Sequence, residues 1–273
     1  MGKLFIKCVL NKKKIDIDDI DIPETEFEDN EEYISKNENN ITIKNFFTDK
    51  TKVPDVHRGY VCIDNGKAFY CSQRNIPKPK PVKGEKLKNS IFIDDLPKDK
   101  SPIVLLLESP HRNEYGIDEN DELYPIAPAQ GKTGYDIQNC LSTFLEKAIK
   151  ENRMTGGQIK SGKKYPLIIC EPIPWQTSLA HLLNSKVLNK KIRNAVWKAL
   201  WESKVSNKKV IKGNFRKKLK SYNPVLVINA CTSDLTDKVE DVLKDVCIDG
   251  KKLNRLRCNH PCINWPKGKF FPE

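Results

Sequence analysis

The chain has 273 residues and a formal net charge of +12, which is enough length for one large domain or for a domain with a smaller lobe. No run of 18 apolar residues occurs, so the sequence predicts no membrane-spanning helix. The excess of lysine and arginine favours a polyanionic partner, although a lysine-rich solvated surface would have the same composition.

Nine cysteines are spread along the chain, several of them in apolar, strand-like runs. Their odd number and the lack of a signal peptide before them lead us to expect a reducing, cytoplasmic compartment with mostly buried free thiols. None shows the paired short spacing that is typical of zinc or of an iron–sulfur cluster. We therefore predict no metal and no cofactor.

Residues 1–76 are predicted to form an N-terminal β-rich lobe. KLFIKCVL is typical of a strand, and YVCIDNGKAFYC is typical of a hairpin with Asn65-Gly66 as its turn. The acidic stretch IDIDDIDIPETEFEDNEEY between them is expected to be a solvated loop. Residues 77–99, rich in proline and lysine, are predicted to be an extended linker.

Residues 100–273 are predicted to form an α/β domain with a mostly parallel central sheet flanked by helices. SPIVLLLE, YPLIIC and NPVLVINAC are continuous apolar runs, as strands buried on both faces require. Residues 135–151, SLAHLLNS and KIRNAVWKALWES are predicted to be helical. In such sheets the ligand binds at the carboxyl ends of the strands.

APAQGKTG, residues 127–134, contains the GKT that ends a phosphate-binding P-loop. A complete P-loop needs a glycine five residues before the glycine of GK, because the backbone there must approach a phosphate closely. Ile126 stands at that position. We therefore predict that the chain binds no nucleoside triphosphate.

Three strand ends carry polar motifs: LLLESPHRNEYG (105–116), IICEPIPWQ (168–176) and the last loop, CNHPCINW (258–265). ESPHRNEYG followed by PAQGKTG resembles the GEAPG…E…G and PFVGRAG segments of the uracil-DNA glycosylase superfamily, and NHPC resembles its HPS motif. The resemblance covers residues 100–265. It implies a uracil-DNA glycosylase-like fold and a monofunctional DNA N-glycosylase that flips a nucleotide out of DNA.

The resemblance also assigns roles. Glu108 falls at the carboxylate that activates water or stabilises the sugar cation, and His260 at the histidine that donates to the base carbonyl; a capping glutamate and a structural histidine are the alternatives. The other residues expected in the base pocket are Ser109, Pro110, His111, Tyr124, Ala129, Gln130, Glu171 and Trp175.

Two departures from the family pattern point to the base. Ala129 replaces a stacking aromatic residue, so either Tyr124 or Trp175 fills the space or the base is bulkier than uracil. Glu171 (or Cys170, if the register slips by one) replaces an asparagine. A carboxylate accepts from the N4 amino group of cytosine and repels uracil O4.

Together the departures predict excision of a modified cytosine with a bulky 5-substituent, as in the anti-phage defence enzymes of that superfamily. Repair of uracil or of a deaminated base, and a non-catalytic nucleic-acid-binding protein, are the alternatives. Each keeps DNA as the partner. A monomer is favoured, with the oligomeric state open.

Residues 186–220 contain thirteen lysines or arginines against one glutamate, and are predicted to contact phosphates; a solvated lysine-rich helix is the alternative. Trp197 and Trp201 are expected either to extend its apolar face or to border it. The residues predicted to contact DNA near the flipped nucleotide are Arg112, Lys132, Thr133, Gly134, Asn259, Cys262, Ile263, Asn264 and Trp265. The last three are expected to wedge into the duplex, with a core anchor as the alternative for Trp265.

Overall fold

A computed structural model describes residues 2–10, 12–22, 27, 30–37, 40–72, 101–120, 122–154, 159–183, 190–205, 208–262 and 265. The predicted linker at 77–99 and two of the predicted DNA wedge residues, Ile263 and Asn264, lie outside the described residues.

The elements alternate in the second half of the chain as the sequence predicts. The strands are β1 (Gly2–Leu10), β2 (Lys13–Ile22), β3 (Ile34–Asn37), β4 (Asn40–Phe47), β5 (Val56–Asp64), β6 (Lys67–Ser72), β7 (Ile103–Leu106), β8 (Tyr115–Ile117), β9 (Leu123–Pro125), β10 (Lys163–Cys170), β11 (Lys204–Val205), β12 (Lys208–Lys209), β13 (Leu226–Asn229), β14 (Cys247–Ile248), β15 (Lys251–Lys252) and β16 (Arg255–Arg257). The helices are α1 (Lys132–Lys150), α2 (Lys190–Glu202), α3 (Val210–Tyr222) and α4 (Ser233–Lys244), with a 3-10 turn at Arg112–Glu114.

A six-stranded sheet with the order β16-β13-β7-β10-β5-β6 forms the centre of the molecule. β16, β13, β7 and β10 are parallel, whereas β5 and β6 are antiparallel at one edge. This confirms a mixed α/β fold with a mostly parallel sheet. The four parallel strands lie side by side in the order β10, β7, β13, β16, whereas the chain forms them in the order β7, β10, β13, β16. The connection that leaves β7 therefore runs towards one edge of the sheet, and the connection that leaves β13 runs towards the other edge. That switch point is where open α/β sheets bind ligands.

Helices and a second sheet bury both faces of the central strands, and β7 is accordingly apolar at all four positions. On one face, Ile103, Leu105 and Ile169 pack with the apolar side of α1. On the other face, Val104, Leu106 and their neighbours pack with α2, α3, α4 and the N-terminal sheet.

The N-terminal sheet has the order β2-β1-β4-β3. The acidic stretch that is expected to be a loop begins instead within strand β2, so that expectation is wrong for residues 15–22. Ile15, Ile20 and Ile22 are buried while the aspartates are exposed. A register shift and the positive φ of Asp19 (57°) mark a β-bulge in this strand. The bulge accommodates the second of two adjacent aspartates as an extra residue, so that Ile20 faces the core again.

The predicted hairpin is confirmed, with Asn65 (φ 46°) and Gly66 (φ 77°) both in the left-handed region that such turns use. It pairs with β10 and therefore belongs to the central sheet rather than to the N-terminal lobe in which it was expected. Segment 178–183, expected to be helical, forms turns around Leu179 (φ 53°) and keeps its leucines buried.

All nine cysteines are free, but only Cys8, Cys170, Cys231 and Cys258 are buried, so the expectation of mostly buried thiols is wrong. Among the described residues no helix is both long and apolar enough to cross a bilayer. The two tryptophans of α2, Trp197 and Trp201, are fully buried and so extend its apolar face.

An ion pair joins the N-terminal half of the chain to α3 beneath the end of β10. Asp55 lies 2.7 Å from Lys218 Nζ, with side-chain exposures of 6% and 24%. The Tyr222 hydroxyl donates to Asp55 at 2.8 Å, and the backbone N–H of Glu171 donates to it at 3.4 Å. Lys218 also donates to the carbonyl of Glu171 at 3.2 Å, so this pair holds the end of β10.

We expect Asp55→Ala to lower the free energy of unfolding by about 3 kcal/mol, because it leaves a largely desolvated lysine without its counter-ion. Asp245→Ala is the control, since it breaks the exposed pair with Arg216 and should cost less than about 1 kcal/mol. Urea unfolding of both variants measures the difference. Equal costs would show that the Asp55–Lys218 pair is not a structural anchor.

Candidate active site

A cavity of about 300 Å³ opens at the carboxyl ends of β7, β10 and β13, at the switch point of the sheet. It brings together predicted site residues from four separate segments: Glu108, Ser109, Pro110, His111, Thr133, Glu171, His260 and Cys262. Four polar side chains that were not singled out also line it: Glu114, Ser178, Arg193 and Thr232. Lys190 lies at the same wall.

Glu108 lies two residues beyond the end of β7 and has three contacts that hold it in place. Its Oε1 lies 3.0 Å from Arg193 Nε of α2, and its Oε2 accepts a hydrogen bond from the Thr232 hydroxyl after β13. The indole N–H of Trp197 donates to its backbone carbonyl at 3.1 Å. Burial raises the pKa of Glu108, against the opposing effects of Arg193 and Thr232.

His260 faces the same cavity as a neutral imidazole. Burial lowers its pKa to about 4, with the positive charge of Arg193 acting in the same direction. Its Nδ1 accepts a long hydrogen bond, 3.4 Å, from the backbone N–H of Cys262. The proton of the neutral ring therefore resides on Nε2, which makes that nitrogen a donor.

Glu114 and Glu171 form a pair of buried carboxyl groups at the cavity wall, with 3% and 2% of their surfaces exposed. Their side chains are hydrogen-bonded to each other. Burial is the main cause that raises both pKa values, that of Glu114 to about 7 and that of Glu171 well above its usual range. Two buried carboxyl groups in contact cannot both be ionised, so the pair retains a proton.

Backbone groups and a buried arginine hold Glu114 in place. The N–H of His111 donates to its Oε2 at 2.8 Å, and the N–H of Ala129 to its Oε1 at 2.6 Å. Arg58 donates to the carbonyl of Ala129. A register shift between β5 and β10 makes Arg58 the extra residue of a bulge, which turns its side chain towards this loop.

Helix α1 begins beside the cavity with the GKT segment. Helix formation starts at Lys132, three residues earlier than predicted, and Gly131 caps it without a side-chain hydrogen bond. Thr133 lines the cavity and its hydroxyl lies 2.9 Å from Cys262 Sγ. Gly134 is buried in the first turn, and Lys132 is exposed in an ion pair with Asp136.

Ala129 does not line the cavity. Its side chain is fully buried in the core beside α1, and only its backbone contacts the site, through Glu114 and Arg58. The prediction that Ala129 leaves room for a bulky base therefore has no support in this geometry, because the residue faces the core. Its positive φ (57°) is the backbone cost of that contact.

Trp175, Tyr124 and Gln130 also lie outside the cavity lining. Trp175 is a core residue whose indole N–H donates to the carbonyl of Thr48 at 2.8 Å, and it meets Phe47 edge to face. Tyr124 lies in β9 across from Gly116. Gln130 donates to the carbonyl of Pro128, within its own loop.

Trp265 packs in the core, which is the alternative role that the sequence predicts for it. It is 2% exposed, stacks on Phe144 with ring centroids 4.5 Å apart, and donates to the carbonyl of Asn259 at 2.7 Å. The prediction that Trp265 wedges into DNA is therefore wrong, because its ring is already packed. Asn259 adjoins His260 but does not line the cavity.

The basic segment is less free than its composition suggests. Lys218 pairs with Asp55, Lys209 and Lys212 pair with Glu202, and Arg193 pairs with Glu108. Exposed lysines remain on α2, among them Lys191 and Lys198. Arg112 is exposed beside the cavity, and its carbonyl bonds to the ring of His181 at 3.1 Å.

A signal for one missed residue was present in the sequence. Glu114 is the second glutamate of ESPHRNEYG, the same motif that identifies Glu108, and His111 and Glu114 have the spacing of a capping box. Arg193 and Thr232 carried no such signal, because only the tertiary fold places them on Glu108.

Comparisons of the chain with models of known protein families, with curated proteins and with solved structures gave no significant match. In the part of the chain that the structure describes, no group of three or more histidine, cysteine or acidic side chains is arranged to hold a metal ion.

We expect Trp265→Ala to lower the free energy of unfolding by about 3–5 kcal/mol, since it removes a buried ring. Trp265→Phe keeps the stack on Phe144 and loses only the hydrogen bond, so it should cost about 1 kcal/mol. Urea unfolding compares the two. A Trp265→Ala variant as stable as the wild type would restore the surface role.

Proposed function

We propose that the protein is a monofunctional DNA glycosylase that flips a base into the cavity and hydrolyses its N-glycosidic bond. The observation that carries this proposal is the convergence of Glu108, His260 and Glu171 on one cavity at the sheet's switch point. Three strand ends supply them, so the constellation depends on the whole sheet. The motif resemblance of residues 100–265 supports the same class of reaction.

Glu108 is the residue we assign to the sugar side of the reaction. The bond between C1′ and the base nitrogen breaks with its electron pair leaving on the base, and a water oxygen then bonds to C1′. Glu108 accepts the proton of that water and, while ionised, stabilises the cationic sugar. Burial raises the pKa of Glu108, which makes its carboxylate a stronger base than an exposed glutamate.

His260 is the residue we assign to the departing base. As a neutral ring with its proton on Nε2, it donates a hydrogen bond to a base carbonyl on which negative charge develops. A neutral donor suits this task because the same ring needs no change of charge before the bond breaks. The leaving base takes its final proton from solvent.

Glu171 is the group best placed to select the base. As part of a pair that retains a proton, it offers an acceptor to an exocyclic amino group, as in cytosine. We propose a cytosine-type base, and a modified cytosine of phage DNA as the biological target. The proposal that this cytosine carries a 5-substituent rests on the motif resemblance alone, because Ala129 lies outside the cavity.

DNA phosphates have suitable partners around the opening. Lys190 and Arg193 line the cavity, where they pair with Asp234 and Glu108, and the first turn of α1, which has no side-chain cap, directs backbone N–H groups beside it. The net charge of +12 favours association with a polyanion at low salt.

An assay for alkali-labile abasic sites tests the activity on DNAs that contain uracil, cytosine, 5-hydroxymethylcytosine or glucosylated cytosine. We expect sites at the cytosine-type bases, with Glu108→Gln and His260→Ala each slower by about 10²–10³-fold. Lys251→Ala, in the exposed strand β15, is the control. Excision of uracil alone would indicate a repair enzyme, and DNA binding without abasic sites a binding protein on this fold.

Arg193 should set the acid limb of the pH–rate profile. Because its charge lowers the pKa of Glu108, Arg193→Ala should raise that pKa and move the acid limb towards higher pH. Arg193→Lys should keep the limb near its wild-type position. Single-turnover rates between pH 5 and 8 provide the measurement, and an unmoved limb in Arg193→Ala would argue against Glu108 as the titrating base.

A further inference from the structure

The carboxyl pair at the inner wall has no part in the hydrolysis described above, yet it is fully buried and reaches the cavity. Glu114 and Glu171 come from different strand ends, after β7 and β10. Burying two acids in contact is unfavourable unless a proton lies between them. The function of a site that retains such a pair depends on which of the two acids carries the proton.

The surroundings decide which acid is ionised. Glu114 accepts two backbone N–H groups, from His111 and Ala129, and Arg58 lies close enough to favour its charge. Within the described residues, no N–H or O–H group donates to Oε2 of Glu171, which is buried. The negative charge therefore resides on Glu114, and Glu171 is the neutral acid that donates its O–H to Glu114.

This arrangement leaves one oxygen of Glu171 as an acceptor that cannot turn into a donor. A free carboxylic acid can rotate and present either O–H or C=O, so it would read amino and carbonyl groups alike. Commitment of its proton to Glu114 removes that choice. An exocyclic amino group can then donate a hydrogen bond to this oxygen of Glu171, whereas the O4 carbonyl of uracil or thymine faces its lone pair and is repelled.

We infer that Glu114 is a positioning residue that locks Glu171 as a neutral hydrogen-bond acceptor, and that the cavity thereby takes 4-amino pyrimidines and rejects their 4-oxo counterparts. His260 narrows the choice to cytosines, because its Nε2–H needs a base carbonyl that adenine lacks. The inference rests on the proposed function for the presence of a base in the cavity.

The variant Glu171→Gln distinguishes recognition of the base by a neutral Glu171 from recognition by an ionised Glu171. In Glu171→Gln the amide NH₂ replaces the O–H towards Glu114, and the amide oxygen replaces the acceptor towards the base. The variant therefore keeps the preference for a 4-amino base. Glu171→Ala removes the acceptor and loses that preference.

The shared proton also gives a pH signature that needs no substrate. The charged groups that face the pair are Asp55, Arg58 and Lys218, with Tyr115 and Cys262 also close. Burial raises the pKa of Glu114 from its ordinary value of 4.5 to about 7, so the folded state binds more protons in between. The stability that this group contributes is therefore fully present below pH 4.5 and is lost as pH rises through about 7.

The first measurement is Tm from pH 5 to 9. We expect the wild type to lose stability through this range and Glu171→Gln to flatten the fall, because Glu171, whose pKa burial raises well above its usual range, no longer titrates. Glu202→Gln is the control: salt links lower the pKa of Glu202, so its removal leaves the fall in place. A fall of equal size in Glu171→Gln overturns the shared proton.

The second measurement is DNA binding in a Glu108→Gln background, with thymine-only oligonucleotides that carry one test base. The test bases form two pairs that differ at position 4, cytosine with uracil and 5-hydroxymethylcytosine with 5-hydroxymethyluracil. We expect about a tenfold preference for an amino base, the size of one net hydrogen bond. Glu171→Gln keeps it and Glu171→Ala loses it.

These outcomes separate the two proposals. A preference for the amino base that Glu171→Gln keeps supports the lock, whether or not abasic sites form in the excision assay. Equal binding of both members of each pair, or a Glu171→Gln variant that behaves like Glu171→Ala, overturns the lock. Abasic sites formed alongside either of those results leave the glycosylase in place with a different reader.

Discussion

The end of β10 is the point through which the rest of the site is held. The backbone N–H of Glu171 donates to Asp55, its carbonyl accepts from Lys218, and its side chain is hydrogen-bonded to Glu114. Glu114 in turn fixes the backbone after β7 and the backbone before α1. One buried acid therefore couples three loops, and a side chain there that could not donate to Glu114 would leave its buried carboxylate with one partner fewer.

The N-terminal half of the chain takes part in this arrangement. Asp55 and Arg58 come from the segment around the start of β5, and Trp175 after β10 bonds back to Thr48. On the opposite side, Trp197 of α2 bonds to the carbonyl of Glu108. The catalytic candidates thus lie just beyond strand ends and have supporting contacts from both halves of the chain, as a preorganised site requires.

The sequence predicts the parts of the fold that local pattern controls. IVLL and LIIC are apolar throughout, LVIN is apolar up to its final asparagine, and Asn65-Gly66 specifies its own turn. β2 was missed because the charge of IDIDDIDI outweighed its alternation, although the alternation was the better indicator. Glu108, Glu171 and His260 follow from strand ends and motifs. Arg193, Thr232 and the inward turn of Ala129 do not, because they depend on which helix and which loop pack over the sheet.

The pairing of β5 with β10 also decides where this chain can be divided. A fragment that began at residue 101 would keep every residue proposed for hydrolysis, but β10 would become an edge strand with unpaired backbone groups. Such a fragment would also lack the partners of Lys218 and of the Ala129 carbonyl. The α/β half is thus a partial domain, and strands β5 and β6 supply the remaining portion of its sheet.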